Sequence, residues 1–419
     1  GEHQWMNAIG ARLRPKFNGK IICGGPHPTF FPDIIQEEYL DAICIGEGEK
    51  AILEYVNAIA TQENMTGIQN LYVKQDGKIH KNPVCQELQD LDALPFPDKS
   101  VYDKRYGFYR DVHNAITGKE IFQASRGCPF NCTFCYNKTY NEIYNGKSKK
   151  IRRKKVDRII NEILSVKEQY PGMYIVFFSD DFFTSPPRKW IYEFLEQYKE
   201  KVYLPFVIQT RADSLDEEMV RKLRWANCLS IKLGIESGNE YIRNKVLKKH
   251  ASTKNMLKAA NLIHKYGMQL HTLNILGIPG ENLSRALDTF ELNKELRPTF
   301  AWCSLLNPFP GTEIYEYAVE HNYLEETYDK IMFTYFKNSP LKMKDIDKMY
   351  NLQKLFAISV YLRLPTPFVK ILIHLPFSKY YDFVFGFIFM IGEAFIHKIN
   401  FLYAIKFSLL YFSKYLLKG

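Results

Sequence analysis

From about residue 118 the chain alternates short apolar runs with amphipathic segments, and this alternation admits few folds. Ile121–Ser125, Met173–Phe178, Phe206–Thr210, Leu229–Gly234, Gln269–Leu276 and Phe300–Leu306 are rich in β-branched and aromatic residues and read as strands. Val156–Gln169, Arg188–Glu200, Asp216–Ala226, Asn239–Lys248, Thr253–Tyr266, Leu283–Leu296 and Thr312–His321 carry the helical period. Strands separated by a helix cannot pair as hairpins, so the pattern calls for parallel βαβ units. Each run ends in polar residues or glycine, and the carboxyl ends of parallel strands are where such sheets bind ligands.

The first run enters Ser125-Arg-Gly-Cys-Pro-Phe-Asn-Cys-Thr-Phe-Cys-Tyr136, which carries Cys128, Cys132 and Cys135. Three thiolates spaced C-x3-C-x2-C can hold three corners of a cubane iron–sulfur cluster. No fourth cysteine follows in the loop, so one iron stays open to another ligand, as in a catalytic metal site. The alternative is a structural zinc knuckle, with a fourth ligand from His or from Cys85, Cys228 or Cys303. No paired CxxC or HxxxH stands nearby to support it. Cys23, Cys44, Cys85, Cys228 and Cys303 are scattered without a disulfide framework, and Gly1 to Lys20 lacks the apolar core of a signal peptide. A reducing, cytoplasmic setting is the expectation. The chain opens without Met on what reads as the middle of a domain, as a fragment would.

The cysteine spacing, with Arg126-Gly127 before it and Phe134 and Tyr136 in and after it, resembles that of the radical S-adenosylmethionine (radical SAM) enzymes. The resemblance implies a partial (βα)6 TIM-like barrel. It also implies a 4Fe-4S cluster on the three cysteines, and SAM chelated at the open iron and cleaved to a 5′-deoxyadenosyl radical. Six further motifs match in order over residues 118 to 325. The resemblance assigns Asp180-Asp181 to the methionine amino group and Arg211 to its carboxylate, Glu236-Ser237 to the ribose, and Gly277-Ile278-Pro279 to adenine. Phe134 and Tyr136 are placed beside SAM. Three have a plainer reading: Asp181 as a helix cap, Arg211 in a salt bridge with Asp213 or Asp180, the Gly277 turn as a cap for the next helix.

Upstream, Lys20–Cys23 runs into Gly24-Gly25-Pro26-His27-Pro28-Thr29, and Asp41–Ile45 into Gly46-Glu47-Gly48-Glu49, followed by helix Lys50–Ala60. These are βα units whose glycines let backbone approach a ligand. Their order resembles the C-terminal half of the Rossmann-like cobalamin-binding domain of B12-dependent radical SAM proteins, the anaerobic magnesium-protoporphyrin ester cyclase group included. That implies cobalamin against Gly24, Gly25, His27, Thr29, Gly46, Glu47 and Gly48. The upstream DxHxxG loop of that domain is missing. An electron donor such as flavodoxin or ferredoxin is implied as a partner.

Four segments follow: 1–66, part of the cobalamin-binding-like domain; 67–117, a hairpin around Asp76-Gly77 and a proline-rich linker; 118–325, the barrel; 326–419, a helical tail. The net charge of +10 is densest at Lys147–Lys155, directly before an amphipathic helix. That reads as a solvated helix entrance rather than a nucleic-acid site. In the tail, Phe368–Leu375, Phe383–Ile391 and Phe401–Leu417 are apolar but interrupted by Glu393, His397, Lys398, Lys406 and Lys414. They are too broken to span a bilayer. They fit helices at a membrane surface or packed on the barrel, and either arrangement suits a small-molecule or lipid-like substrate.

Overall fold

The computed structural model describes residues 2–98, 118–144, 151–324 and 339–396. These divide into two compact units, drawn from 1–89, 130–150 and 307–334, and from 90–129, 151–306 and 335–419.

The first unit is built on a four-stranded sheet in the order β1 (Ile22–Cys23), β2 (Ala42–Cys44), β3 (Leu71–Gln75), β4 (Lys78–Lys81). β1 and β2 are parallel, with Ile22 opposite Ala42; β3 runs antiparallel to β2, with Val73 opposite Ala42. Asp76 and Gly77, both at positive φ, make the tight turn into β4 that an Asp-Gly pair favours. The hairpin expected within a linker is therefore the far half of the first sheet, and a boundary at residue 66 cuts through that sheet. Leu71 and Val73 supply the reason: they alternate inward and join Ala51, Tyr55 and Ala58 of helix Glu49–Thr61 in one core.

The second unit holds a six-stranded sheet, all parallel, in the order β12 (Phe300–Leu305), β11 (Gln269–Leu276), β10 (Cys228–Glu236), β9 (Phe206–Thr210), β8 (Ile175–Phe178), β5 (Lys119–Phe122). This is the expected α/β run of βα units. Its helices cover the sheet with helical-period apolar stripes; Ile159, Ile160 and Ile163 of Val156–Gln169 are wholly buried, each worth about 2 kcal/mol of transfer free energy.

Two details depart from expectation. The first strand ends at Phe122, and Ser125–Arg126 form a separate β6, antiparallel to β7 (Arg152–Arg153). The described half of the basic run thus serves the fold: Arg152 is buried, and Lys154 pairs with Glu162 at 2.6 Å. Lys147–Lys150 lie outside the described residues. The expected helix Asn239–Lys248 is a widened π-type turn, Ile242–Val246. Its Arg243 is fully buried and donates to the carbonyls of Ser237 (2.7 Å) and Ala251 (2.8 Å) and to Thr253 Oγ1 (2.8 Å), contacts that a regular helix would not place together.

At the β12 edge the chain adds helices Ile346–Tyr361, Thr366–His374 and Ser378–Ile396. Met349, Leu352 and Phe356 pack on Leu276, Phe290, Ala301 and Leu305, and Gln353 Nε2 donates to the Cys303 carbonyl at 2.9 Å. The tail's first helices therefore cap the sheet edge. The apolar run Phe401–Leu417 lies outside the described residues. Among the described residues no helix is long and apolar enough to cross a membrane.

Candidate active site

The cysteine loop springs from β6, and one carboxylate pins its stem. Asp180, at the end of β8, accepts the Ala124 N–H at 3.1 Å on one oxygen and the Ser125 hydroxyl at 2.5 Å on the other. Burial pushes its pKa up, while these hydrogen bonds and the Arg153 charge pull it back. Arg153 lies over the Trp190 ring at 4.7 Å and donates to the Ser185 carbonyl at 2.5 Å; burial lowers its pKa to about 10. Asp180, expected at a methionine ammonium, is thus engaged at the loop stem, and its neighbour Asp181 is exposed.

Cys128, Cys132 and Cys135 are half-buried and form no disulfide. The Cys135 N–H returns to the Cys132 carbonyl at 3.1 Å, and Asn137 Nδ2 donates to Cys135 Sγ at 3.4 Å, a contact that favours a thiolate. Two of the candidates for a zinc knuckle's fourth ligand, Cys228 and Cys303, sit in β10 and β12. Burial raises both thiols. Among the described residues no three His, Cys, Asp or Glu side chains converge at the spacing of a single ion. In kind the donor set, three cysteine thiols with no fourth in the loop, is that of an iron–sulfur cubane with one open corner.

Further along the sheet the strand ends are internally paired. Arg211, after β9, grips Asp213 through Nε (3.0 Å) and Nη2 (2.8 Å) and also reaches the His250 carbonyl at 3.2 Å. Glu236 closes β10 at φ 63°, strained for a non-glycine residue, where the ladder with β11 shifts register. Its Oε1 accepts Lys249 Nζ at 2.8 Å, with both side chains almost fully covered. Gly234 makes the space: a Cβ there would stand 2.4 Å from Glu236 Oε1 and 2.8 Å from Lys249 Nζ. Ser237 is buried, its hydroxyl accepting the Asn239 N–H at 3.2 Å.

In the next turn Gly277 and Gly280 adopt φ of 72° and 82°, and Ile278 and Pro279 are buried. Glu281 Oε2 accepts the N–H groups of Gly277 (2.7 Å) and Ile278 (3.3 Å), and burial pushes this carboxyl up to about 8. Lys249 and Arg243 escaped the sequence reading because their partners lie across a turn that no periodicity reports. Glu281 lies two residues past the Gly277-Ile278-Pro279 motif, and its role as the clamp of the turn depends on burial.

In the first unit the two glycine turns differ. Gly24 and Gly25 are exposed, and a Cβ on Gly25, at φ 89°, would meet nothing within 4 Å. His27 stacks on His3 at 4.7 Å and against Phe31, and burial lowers its pKa to about 4, so its imidazole is neutral. Thr29 ties the turns together, donating to the Gly25 carbonyl at 2.7 Å and accepting the Gly46 N–H at 3.0 Å.

The second turn is closed by protein. Glu47 N–H donates to Tyr144 Oη at 2.8 Å, Asn70 Nδ2 donates to the Glu47 carbonyl at 2.8 Å, and Gly48 sits against Cys44. The helix following the cysteine loop, Tyr136–Ile143, packs here too. Tyr136 stacks on Phe30 at 3.9 Å and donates to the Pro310 carbonyl at 3.0 Å, while Phe134 is half-buried in the loop. The first turn fits a close backbone approach by a cofactor; the N–H of Glu47 is already used.

The model of the Radical SAM superfamily matches residues 122–292. An uncharacterized methyltransferase of Pyrococcus horikoshii is 28% identical over 307 residues, covering 73% of this chain and 64% of its own length. The anaerobic magnesium-protoporphyrin IX monomethyl ester cyclase of Rubrivivax gelatinosus is 27% identical over 306 residues, covering 70% and 52%. The chain thus spans between about half and two-thirds of the length of these curated relatives. Among solved structures, the radical S-adenosylmethionine methyltransferase TsrM from Kitasatospora setae, with cobalamin and a 4Fe-4S cluster bound, matches with a TM-score of 0.60 at 17% identity. It covers 81% of this chain and 65% of that one. The cobalamin-dependent S-adenosylmethionine radical enzyme OxsB matches with a TM-score of 0.55 at 18% identity, over 75% and 44%. At these identities the structural matches establish a shared fold. With the parallel sheet, the cysteine loop and the family match in agreement, residues 122–292 of this chain are a radical SAM domain.

Proposed function

We propose that the protein is a radical SAM enzyme that holds a 4Fe-4S cluster on Cys128, Cys132 and Cys135 and binds SAM along the strand ends from Asp180 to Gly277. The observation that carries this reading is the three-cysteine loop, rooted by Asp180 and Ser125 beside the first strand of a parallel sheet. When bound, cluster and SAM together supply a 5′-deoxyadenosyl radical able to take hydrogen from an unactivated carbon.

The chain's own residues hold and orient. Asp180 fixes the loop stem, and Glu281 fixes the Gly277–Ile278 backbone that would face adenine. Arg211 offers a guanidinium fork to a carboxylate, which would exchange with or join Asp213. Glu236 keeps one oxygen on Lys249, and its second is directed to a ribose hydroxyl in this reading. Cobalamin would lie against Gly24, Gly25 and His27, the turn with room for it. The names of the relatives, a methyltransferase and a monomethyl ester cyclase, support methylation or cyclisation, and the apolar tail supports an apolar or lipid-like substrate. A flavodoxin- or ferredoxin-type reductant and peripheral contact with a membrane complete the reading.

Anaerobic reconstitution with iron and sulfide, followed by SAM and dithionite, should release 5′-deoxyadenosine. Cys135→Ala should lower iron content and visible absorbance together with that product. A fully loaded wild-type cluster that yields no 5′-deoxyadenosine would refute the enzymatic reading.

A further inference from the structure

Two of the helices at the β12 edge, Thr366–His374 and Ser378–Ile396, carry two apolar faces where packing on the sheet requires one. In Ser378–Ile396, Tyr381 and Val384 face the core. Tyr380, Phe383 and Phe387, at spacings of three and four, form an outward stripe that is 73%, 63% and 44% exposed. In Thr366–His374, Val369 and Ile373 are buried, while Phe368 and Ile371 point out. Tyr361, Leu362 and Phe377 extend the same exposed set. An apolar stripe left exposed on a helix whose opposite side is already packed marks a binding face.

Cations outnumber acids along the described side chains of the two helices, although Glu291 contacts Thr366 and the exposed Asp347 lies beside His374 and Ser378. Arg363, Lys370 and Lys379 are exposed, and the single acid between residues 361 and 388, Asp382, is held by Lys354 (3.0 Å) and the Tyr350 hydroxyl (2.7 Å). A second copy of the chain would bring like charges together. An anionic sheet of headgroups over an apolar interior matches both the aromatic stripe and its cations. We propose that the outward face formed by Phe368, Ile371, Tyr380, Phe383 and Phe387 docks this chain on an anionic bilayer, lying on it rather than crossing it. This deepens the peripheral-contact reading above by naming the face and the lipid charge. Its readout is binding, so it stands or falls apart from SAM cleavage.

Flotation of the full chain with vesicles of phosphatidylcholine alone, or mixed equally with phosphatidylglycerol, tests the proposal. Binding is expected to the mixed vesicles and to weaken with added salt. Phe383→Ser should lower partitioning about tenfold by removing one exposed aromatic from the contact. Lys370→Glu with Lys379→Glu, both on exposed positions that leave the core intact, should abolish it. The proposal is overturned by no binding to mixed vesicles or by equal binding to neutral ones. A concentration-dependent dimer that Phe383→Ser dissolves would also overturn it, because the stripe would then serve self-association.

Discussion

Both sheets end strands in glycine turns, yet the two sets of glycines are asked for different things. In the six-stranded sheet, Gly234 clears space for a buried ion pair and Gly277 allows a bend that Glu281 then clamps. In the four-stranded sheet, Gly46 yields to Tyr144 while Gly25 faces open space. The strand ends of the radical SAM domain are thus pre-organised by side chains of the same unit, at the cost of buried charge and strained backbone. The first unit keeps one turn bare. In the proposed reading, the pre-organised first set would orient a reactive group and the open second turn would admit a large one.

The widest separation between the two regions should come from Lys249→Met. It leaves the Glu236 carboxylate buried without its cation, which should cost about 3–5 kcal/mol in chemical denaturation. Adding Glu236→Gln should recover most of that loss. If Lys249→Met unfolds at the wild-type midpoint, the ion pair is not the element that organises this strand end.

Glu281 offers a pH test of the same rigidity. Its pKa is raised on folding, so the stability it contributes is complete below about 4.5 and is lost as pH rises through about 8, because the unfolded chain releases the proton first. Between those values this group should remove about 1.4 kcal/mol of stability per pH unit. Glu281→Gln should flatten that part of the profile. Parallel wild-type and variant slopes between roughly pH 6 and pH 8 would count against a buried neutral carboxyl.

How much of this was legible follows from how local each signal is. Val156–Gln169, Leu283–Leu296, Phe206–Thr210 and Gln269–Leu276 were read to the residue, because helical and strand periods are written in neighbouring side chains. The three-cysteine loop was equally plain. The partners of the strand-end charges were not: Arg211 was open between Asp213 and Asp180 until geometry gave it Asp213. Lys249 carried no signal, since its partner lies thirteen residues away. Asp76-Gly77 announced a hairpin but not the sheet it would join, for a hairpin does not encode which strand pairs with the outer side of its first arm. Helix Ile346–Tyr361 was hidden because Asn351, Gln353 and Lys354 are polar yet buried on long-range partners, which blurs its apolar stripe.

Within the first unit, Gly46→Ala should cost about 2–3 kcal/mol, since the new Cβ would stand 2.1 Å from Tyr144 Oη at a φ of 75°. Adding Tyr144→Phe should return part of it by removing the clashing oxygen, at the expense of the Glu47 N–H partner. Equal stability of Gly46→Ala and wild type would mean that Tyr144 does not close this turn.

The smallest effect on folding should be the most informative about the cofactor. Gly25→Ala meets no atom within 4 Å, so its cost is confined to holding alanine at φ 89° and ψ −163°, about 1–3 kcal/mol. If the open turn exists for the fold alone, nothing else should change. If it receives cobalamin at close backbone approach, the added methyl group stands where the ligand would lie, and binding should fall far more than stability does. Titration of hydroxocobalamin into the wild-type chain and into Gly25→Ala, followed by absorbance beside a thermal melt of each, separates the two. Unchanged affinity in the variant would remove Gly25 from the cofactor contact, and the bare turn would then need a different occupant.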